Sequence, residues 1–115
     1  MKKDIGIFIG HIWESIERIE QVTHGITRSD FMRSVPIQDA VIRRLEIMGE
    51  ATKNLPKDFL TQYPQVRWHE MARMRDKLIH HYFGVDLKIT WNVVKKDLPD
   101  LKRKINKIIK DLENV

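Results

Sequence analysis

Apolar residues recur every three or four positions through five stretches of this chain. Such spacing places apolar side chains on one face of an α-helix and polar side chains on the other. It predicts helices at about residues 4–23, 36–54, 66–83, 87–98 and 100–113. The first stretch shows the pattern most fully, at Ile5, Phe8, Ile9, Ile12, Ile16 and Ile19.

The boundaries of these helices are marked by residues that cap or interrupt helices. The segment "TRSD", Thr27–Asp30, resembles a capping box and predicts a short helical turn. Pro36 lies near the predicted start of a long helix, where its missing N–H is tolerated. Asp86 is a candidate cap for the helix that follows it. Pro99 predicts a break between the last two helices.

These patterns predict helices alone, because no stretch shows the period-two alternation of a convincing strand. Pro56 and Pro64 bracket one more short helical turn. The sequence therefore predicts an all-α fold, an antiparallel helical bundle of four main helices plus short extra helices. With 115 residues, the chain is expected to form a single domain, residues 1–115.

Composition narrows the possible chemistry and partners. The chain has no cysteine, which excludes disulfides, thiolate metal sites and cysteine nucleophiles and suits the cytoplasm. No apolar run approaches the roughly 20 residues of a membrane span. The start, "MKKDIGIFIG", is not expected to be a signal peptide, because no small-residue cleavage site follows it. The net charge of +5 favours a polyanionic partner, although a solvated lysine-rich surface is the simpler explanation.

Arg75 departs from the helical pattern. On a helical wheel it lies near the centre of an apolar arc, close to Met71 and Met74. A buried, unpaired guanidinium is very costly, so Arg75 needs a partner or an aqueous cleft. One explanation is an ion pair with Glu46 or Glu50 on the preceding long helix. The other is an anion site, because the planar fork of arginine suits phosphate.

The residues after Arg75 add candidate chemistry. Asp76 and His80 lie at i and i+4, so the carboxylate can orient the imidazole and raise its pKa. Arg75 and Tyr82 share a stripe, but Arg75 and His80 lie about 140° apart on an ideal helix. A joint Arg75–His80 site therefore needs a distorted helix end near Gly84 or a second copy of the chain. A symmetric dimer would bring two copies of the motif together.

Two other patterns are weaker signals. The segment "HEMAR", His69–Arg73, begins like the H-E-x-x-H zinc motif, but arginine replaces the second histidine, so no metal site is expected. The last helix carries a basic face, for which a solvated surface is the default interpretation and an RNA track the alternative. Its members are Lys102, Arg103, Lys104, Lys107 and Lys110.

The segment "RDKLIHHY", Arg75–Tyr82, resembles the R-x4-H-x-Y signature of HepT-like toxins in the HEPN superfamily. The flanking segments agree with this resemblance. Ala40–Leu55, which contains "GEA" at Gly49–Ala51, resembles the second long helix of that family. Phe83–Leu101 resembles the segment that follows the motif. The similarity covers nearly the whole chain.

The resemblance implies an all-α homodimer in which the motifs of both subunits line a cleft. Active members are metal-independent endoribonuclease toxins that need no cofactor. On this resemblance Arg75 and His80 are the expected catalytic residues, with Asp76 in support. Tyr82 is expected to bind RNA or to be modified. The neighbouring His81 is a candidate RNA contact, with a solvated histidine as the alternative. The implied antitoxin is a minimal nucleotidyltransferase, which in some pairs transfers AMP to the motif tyrosine.

Two other hypotheses stay open on the sequence alone. In the first, the chain is a non-catalytic module that binds nucleotide, RNA or only a protein partner. In the second, it is a structural bundle in which Arg75 forms an ion pair. An Arg75 closed to solvent by a glutamate would favour the structural bundle. Arg75 and His80 that line an open cleft between two subunits would favour the enzyme.

Overall fold

The structure is a computed structural model that describes the backbone of residues 2–80 and 86–114. Side-chain surroundings are described for residues 4–76 and 86–114. Every regular element within these ranges is helical, which confirms the predicted all-α fold. The α-helices are α1 (Lys2–Thr23), α2 (Arg28–Arg33), α3 (Val35–Lys53), α4 (Lys57–Gln62), α5 (Trp68–His80), α6 (Leu87–Asn92) and α7 (Leu98–Glu113).

The predicted caps are present. Thr27 and Asp30 form a reciprocal capping box at the start of α2: the Asp30 N–H donates to Thr27 Oγ1 at 3.1 Å, and the Thr27 N–H donates to Asp30 Oδ2 at 2.9 Å. Pro36 lies in the first turn of α3. The Asp86 carboxylate accepts from two backbone N–H groups at the start of α6. These caps satisfy N–H groups that have no partner within their own helix.

The break predicted at Pro99 is wrong. The chain is helical from Leu87 to Glu113, and a π-helical turn at Val93–Asp97 joins α6 to α7. The Leu98 N–H donates to the Val93 carbonyl, five residues earlier. Proline in a helix lacks an N–H, and its ring clashes with the carbonyl four residues before it. The wider π turn lies directly ahead of Pro99 and places it in the first turn of α7, where proline is tolerated.

The core lies mainly between α1, α3 and α7. Ile12 and Ile16 of α1 and Ile105 of α7 are fully buried in it. Phe31 of α2 is also fully buried and packs against the Trp91 ring, with centroids 5.2 Å apart. Helix α3 packs against both α1 and α5, so it connects this core to the helix that carries Arg75. No helix in the described ranges is long and apolar enough to cross a membrane.

Candidate active site at the contact of α3 and α5

The face of α5 that points toward α3 contains Arg75, as the helical wheel predicts. Met71 and Met74 are half-buried, whereas His69 and Arg73 on the other face are exposed. The Arg75 side chain retains 24% of its exposure. It is therefore neither enclosed in the core nor free on the surface.

Gly49 allows α3 and α5 to approach closely at this point. A Cβ on Gly49 would collide with the Cβ of Arg75 and lie 2.9 Å from the Met71 carbonyl oxygen. These are backbone and backbone-proximal atoms, so the collision could be relieved only by moving one helix. One turn further along α3, the buried Thr52 hydroxyl lies 3.3 Å from Met71 Sδ. The absence of a side chain at Gly49 thus determines how near Arg75 lies to α3.

Two carboxylates flank the Arg75 guanidinium. Arg75 Nη2 lies 3.0 Å from Glu50 Oε2, and Arg75 Nη1 donates to Asp76 Oδ1 at 3.2 Å. Lys53 Nζ donates to the same Asp76 oxygen at 2.9 Å. Two cations and two carboxylates therefore alternate across the contact between the helices, and their formal charges cancel.

The structure identifies the ion-pair partner of Arg75 that the sequence left open. Its glutamate partner is Glu50, one of the two predicted candidates, and Glu46 forms no ion pair within the described residues. The ion pair is present, and the Arg75 side chain keeps 24% of its exposure. The anion site stays a prediction.

The Asp76 carboxylate is held in its charged form. The hydrogen bond from Lys53 lowers the pKa of Asp76 most, and the hydrogen bond from Arg75 lowers it further. The predicted contact of Asp76 with His80 involves a side chain outside the described residues. His81 and Tyr82 also lie outside them. The roles assigned to these three residues and to Asp76 stay predictions.

Two residues of this contact were missed as site residues by sequence reasoning. The sequence resemblance includes both Gly49 and Lys53 in the segment Ala40–Leu55, but it gives neither of them a role. The available signal was their spacing: Gly49 and Lys53 lie at i and i+4 on α3, and Glu50 and Lys53 at i and i+3, which places all three on one side of the helix.

The basic face of α7 is largely engaged within the chain. Lys102 pairs with Glu20 of α1 at 2.7 Å. Arg103 and Lys104 both pair with Asp100. These contacts suit the predicted solvated helix face, and the RNA track stays a prediction. Across the described ranges, no three histidine or acidic side chains are grouped as a metal site would need.

The comparison with known families agrees with this fold. Residues 12–108 match the family described as ribonuclease HepT-like. The chain belongs to this family of the HEPN superfamily, which confirms the resemblance drawn from its sequence. Family membership and the names of the relatives support a ribonuclease of the HEPN type.

Three relatives show how far the similarity extends. A protein of Methanocaldococcus jannaschii named "Gamma-glutamylcyclotransferase and putative RNase" is 56% identical over 113 residues, which are 98% of this chain and 51% of that protein. The "Probable ribonuclease HepT" of Thermococcus cleftensis is 51% identical over 110 residues, 96% of this chain and 100% of that protein. A "Putative RNase" of Methanocaldococcus jannaschii is 48% identical over 112 residues, 97% of this chain and 93% of that protein. This chain thus spans about half of the first relative and nearly all of the other two. No solved structure matches it significantly.

Proposed function

We propose that this chain is a metal-independent endoribonuclease of the HepT type, with Arg75 and His80 as its catalytic residues. The observation that carries the proposal is the position of Arg75. The base of its side chain lies against Gly49, which permits the close approach of two helices, and the side chain keeps 24% of its exposure.

The proposed reaction uses the RNA itself as nucleophile. The 2′-hydroxyl attacks the adjacent phosphorus, a 2′-oxygen–phosphorus bond forms, and the bond to the 5′-oxygen breaks. The products are a 2′,3′-cyclic phosphate and a 5′-hydroxyl. Arg75 holds the scissile phosphate and stabilises the charge that develops on its oxygens. His80 acts as general acid or base for the proton that leaves the 2′-hydroxyl or reaches the 5′-oxygen.

Three neighbouring residues have supporting roles in this proposal. Asp76 helps to orient the site, and Tyr82 and His81 contact RNA. AMP added to Tyr82 by a nucleotidyltransferase antitoxin would place bulk and negative charge in the cleft and block it. In this proposal the chain is the toxin of a toxin–antitoxin pair. Incubation with a candidate antitoxin and ATP should raise the mass by whole AMP units, and Tyr82→Phe should prevent this.

We further propose that the active form is a homodimer. Helix α5 is helical from Arg75 through His80, so the two positions diverge by about 140° around it. A second copy supplies a simple way for Arg75 and His80 to face one phosphate. Sedimentation measurements should show a dimer. If each site takes its two residues from different subunits, mixing Arg75→Ala with His80→Ala protein should restore part of the cleavage.

The main experiment incubates purified protein, with Tyr82 shown by mass to be unmodified, with total cellular RNA in EDTA. Arg75→Ala and His80→Ala are tested beside Arg73→Ala and His69→Ala, which change the same residue types on the exposed face of α5. We expect cleavage with cyclic-phosphate ends by the wild type and both control variants. Arg75→Ala and His80→Ala should be inactive although folded.

Other outcomes would contradict this proposal in distinct ways. Absence of cleavage by folded wild-type protein would favour the alternative function, a non-catalytic module that binds nucleotide, RNA or a partner. Cleavage by every variant would show that a contaminant or a different site is responsible. Cleavage that requires added metal would contradict the proposed metal-independent mechanism.

A further inference from the structure

The cation proposed to bind RNA phosphate is already paired in the free protein. Arg75 contacts both Glu50 and Asp76, and Lys53 contacts Asp76. The formal charges of these four groups cancel. A phosphate that approaches Arg75 therefore meets two carboxylates as well as the guanidinium, and like charges at such distances repel.

The two carboxylates differ in how they are held. Asp76 is adjacent to Arg75 in sequence, and its Oδ1 accepts hydrogen bonds from both Lys53 and Arg75. Glu50 reaches Arg75 across the contact between helices, from a longer side chain that is 54% exposed. An ion pair with one exposed partner is weak, since solvent screens it and ordering two long side chains costs entropy. Glu50 is therefore the carboxylate that can leave at little cost.

The Arg75 guanidinium keeps its position when Glu50 leaves. Its Nη1 still donates to Asp76, which Lys53 still holds, and its Cβ and Cγ still lie against Gly49. Departure of Glu50 frees an N–H on Nη2. A phosphate oxygen can accept a hydrogen bond from this N–H, just as a carboxylate oxygen does. The geometry thus allows one anion to replace another without rearrangement of either helix.

We propose that Glu50 is an internal substitute for the RNA phosphate, which occupies Arg75 in the free protein and is displaced when RNA binds. This inference rests on the proposed function, because it takes Arg75 to be the phosphate-binding residue. Glu50 lowers the affinity for RNA and keeps the charge of Arg75 balanced until a polyanion competes for it.

The substitution Glu50→Gln isolates the charge from the hydrogen bond. Glutamine keeps an oxygen that can accept from Arg75 Nη2 but no longer repels a phosphate. Glu46→Gln is the matched control, because it makes the same change of net charge one turn earlier on α3, where no ion pair to Arg75 exists. Both variants should fold like the wild type.

The test measures binding of an RNA oligonucleotide whose 2′-hydroxyls are methylated, so that it binds but cannot be cleaved. By fluorescence anisotropy at low salt, we expect Glu50→Gln to bind about two- to fivefold more tightly than Glu46→Gln, the range that an exposed ion pair predicts. The advantage should shrink as salt is raised. In an Arg75→Ala background, Glu50→Gln should give no advantage.

Equal affinities of Glu50→Gln and Glu46→Gln would overturn the inference, and so would weaker binding by Glu50→Gln or an advantage that persists without Arg75. These outcomes do not depend on turnover. If the wild type cleaves RNA but the two variants bind alike, the inference alone fails. If the Arg75-dependent advantage is found without cleavage, the nuclease proposal alone fails. Absence of RNA binding by all variants would contradict both.

Discussion

Helix α3 packs against α1 through apolar side chains, whereas its contact with α5 adds a glycine and four charged groups to the half-buried Met71 and Met74. On the α1 side, Ile12 and Ile16 are fully buried in a cluster that includes Val41 and Leu45 of α3. On the α5 side, the buried Gly49 takes the place of a core side chain, and ion pairs cross the contact. The same helix thus forms two kinds of contact.

The difference between these contacts indicates different roles. Burial of apolar surface stabilises the fold by roughly 1.5–3 kcal/mol for each large aliphatic side chain. Partly exposed ion pairs contribute less than about 1 kcal/mol each. The α1 contact therefore supplies stability. The ion pairs of the α5 contact add little stability, but together with Gly49 they fix the position of Arg75, which suits a site rather than a core.

The largest effect on stability is expected in the α1 contact. Ile16→Ala should lower the free energy of unfolding by about 2–5 kcal/mol, because it removes buried methyl groups and leaves a cavity. Urea denaturation measures this loss. Ile7→Ala, on the exposed side of the same helix, should change stability by less than about 0.5 kcal/mol. Equal losses for the two variants would contradict the assigned core.

Gly49→Ala should separate the two helices at the site. The new Cβ would collide with backbone-proximal atoms of Arg75 and Met71. We therefore expect the free energy of unfolding, measured by urea denaturation, to fall by about 1–3 kcal/mol and RNA cleavage to be lost. Gly10→Ala in α1 is the control: a Cβ there meets nothing within 4 Å, so it should stabilise the helix by about 0.5–1 kcal/mol. If Gly49→Ala were as stable and active as wild type, the close approach would have no functional importance.

Lys53→Met should affect function more than stability. It removes an exposed ion pair, so the free energy of unfolding should fall by less than about 1 kcal/mol. Loss of the contact to Asp76 should nevertheless loosen Arg75 and lower the cleavage rate. Lys102→Met is the control, because it removes a comparable exposed ion pair between α7 and α1. Its stability should change by a similarly small amount, and the variant should cleave RNA normally. A larger loss of cleavage in Lys102→Met than in Lys53→Met would instead favour the RNA track on α7.

The smallest expected effect is the pH dependence of the Asp76 contact. Lys53 and Arg75 hold the pKa of Asp76 below its ordinary value of about 3.9. The contribution of Asp76 to stability is therefore complete above that value and is lost as pH falls through the lower folded pKa. The stability difference between wild type and Asp76→Asn should stay constant near neutral pH and shrink only in acid. A difference that disappears near neutral pH would contradict the assigned partners.

The sequence predicted most of the fold because helical periodicity and caps are local signals. The α1 stripe and the Thr27–Asp30 capping box depend on residues within one or two turns, and both were found as predicted. The π turn ahead of Pro99 was missed, because proline usually ends a helix and the sequence does not show how a neighbouring turn accommodates it.

The candidate site was predicted only in part. The wheel placed Arg75 on the apolar face and gave Glu50 as one of two candidate partners, because both inferences use positions on single helices. The choice of Glu50 over Glu46, the close approach at Gly49 and the contact of Lys53 depend on how α3 and α5 pack. Single-helix periodicity carries no information on such packing.

The most direct test of the central claim, that Arg75 serves phosphate binding rather than stability, is the substitution Arg75→Lys. Lysine keeps the positive charge between Glu50 and Asp76, so the free energy of unfolding should fall by less than about 1 kcal/mol. It lacks the planar fork that binds phosphate through two N–H groups, so RNA cleavage in EDTA should fall by about 100-fold or more. Arg73→Lys on the exposed face of α5 is the control and should change neither quantity. Unchanged cleavage by Arg75→Lys, or a large loss of stability with normal cleavage by the folded fraction, would contradict the account.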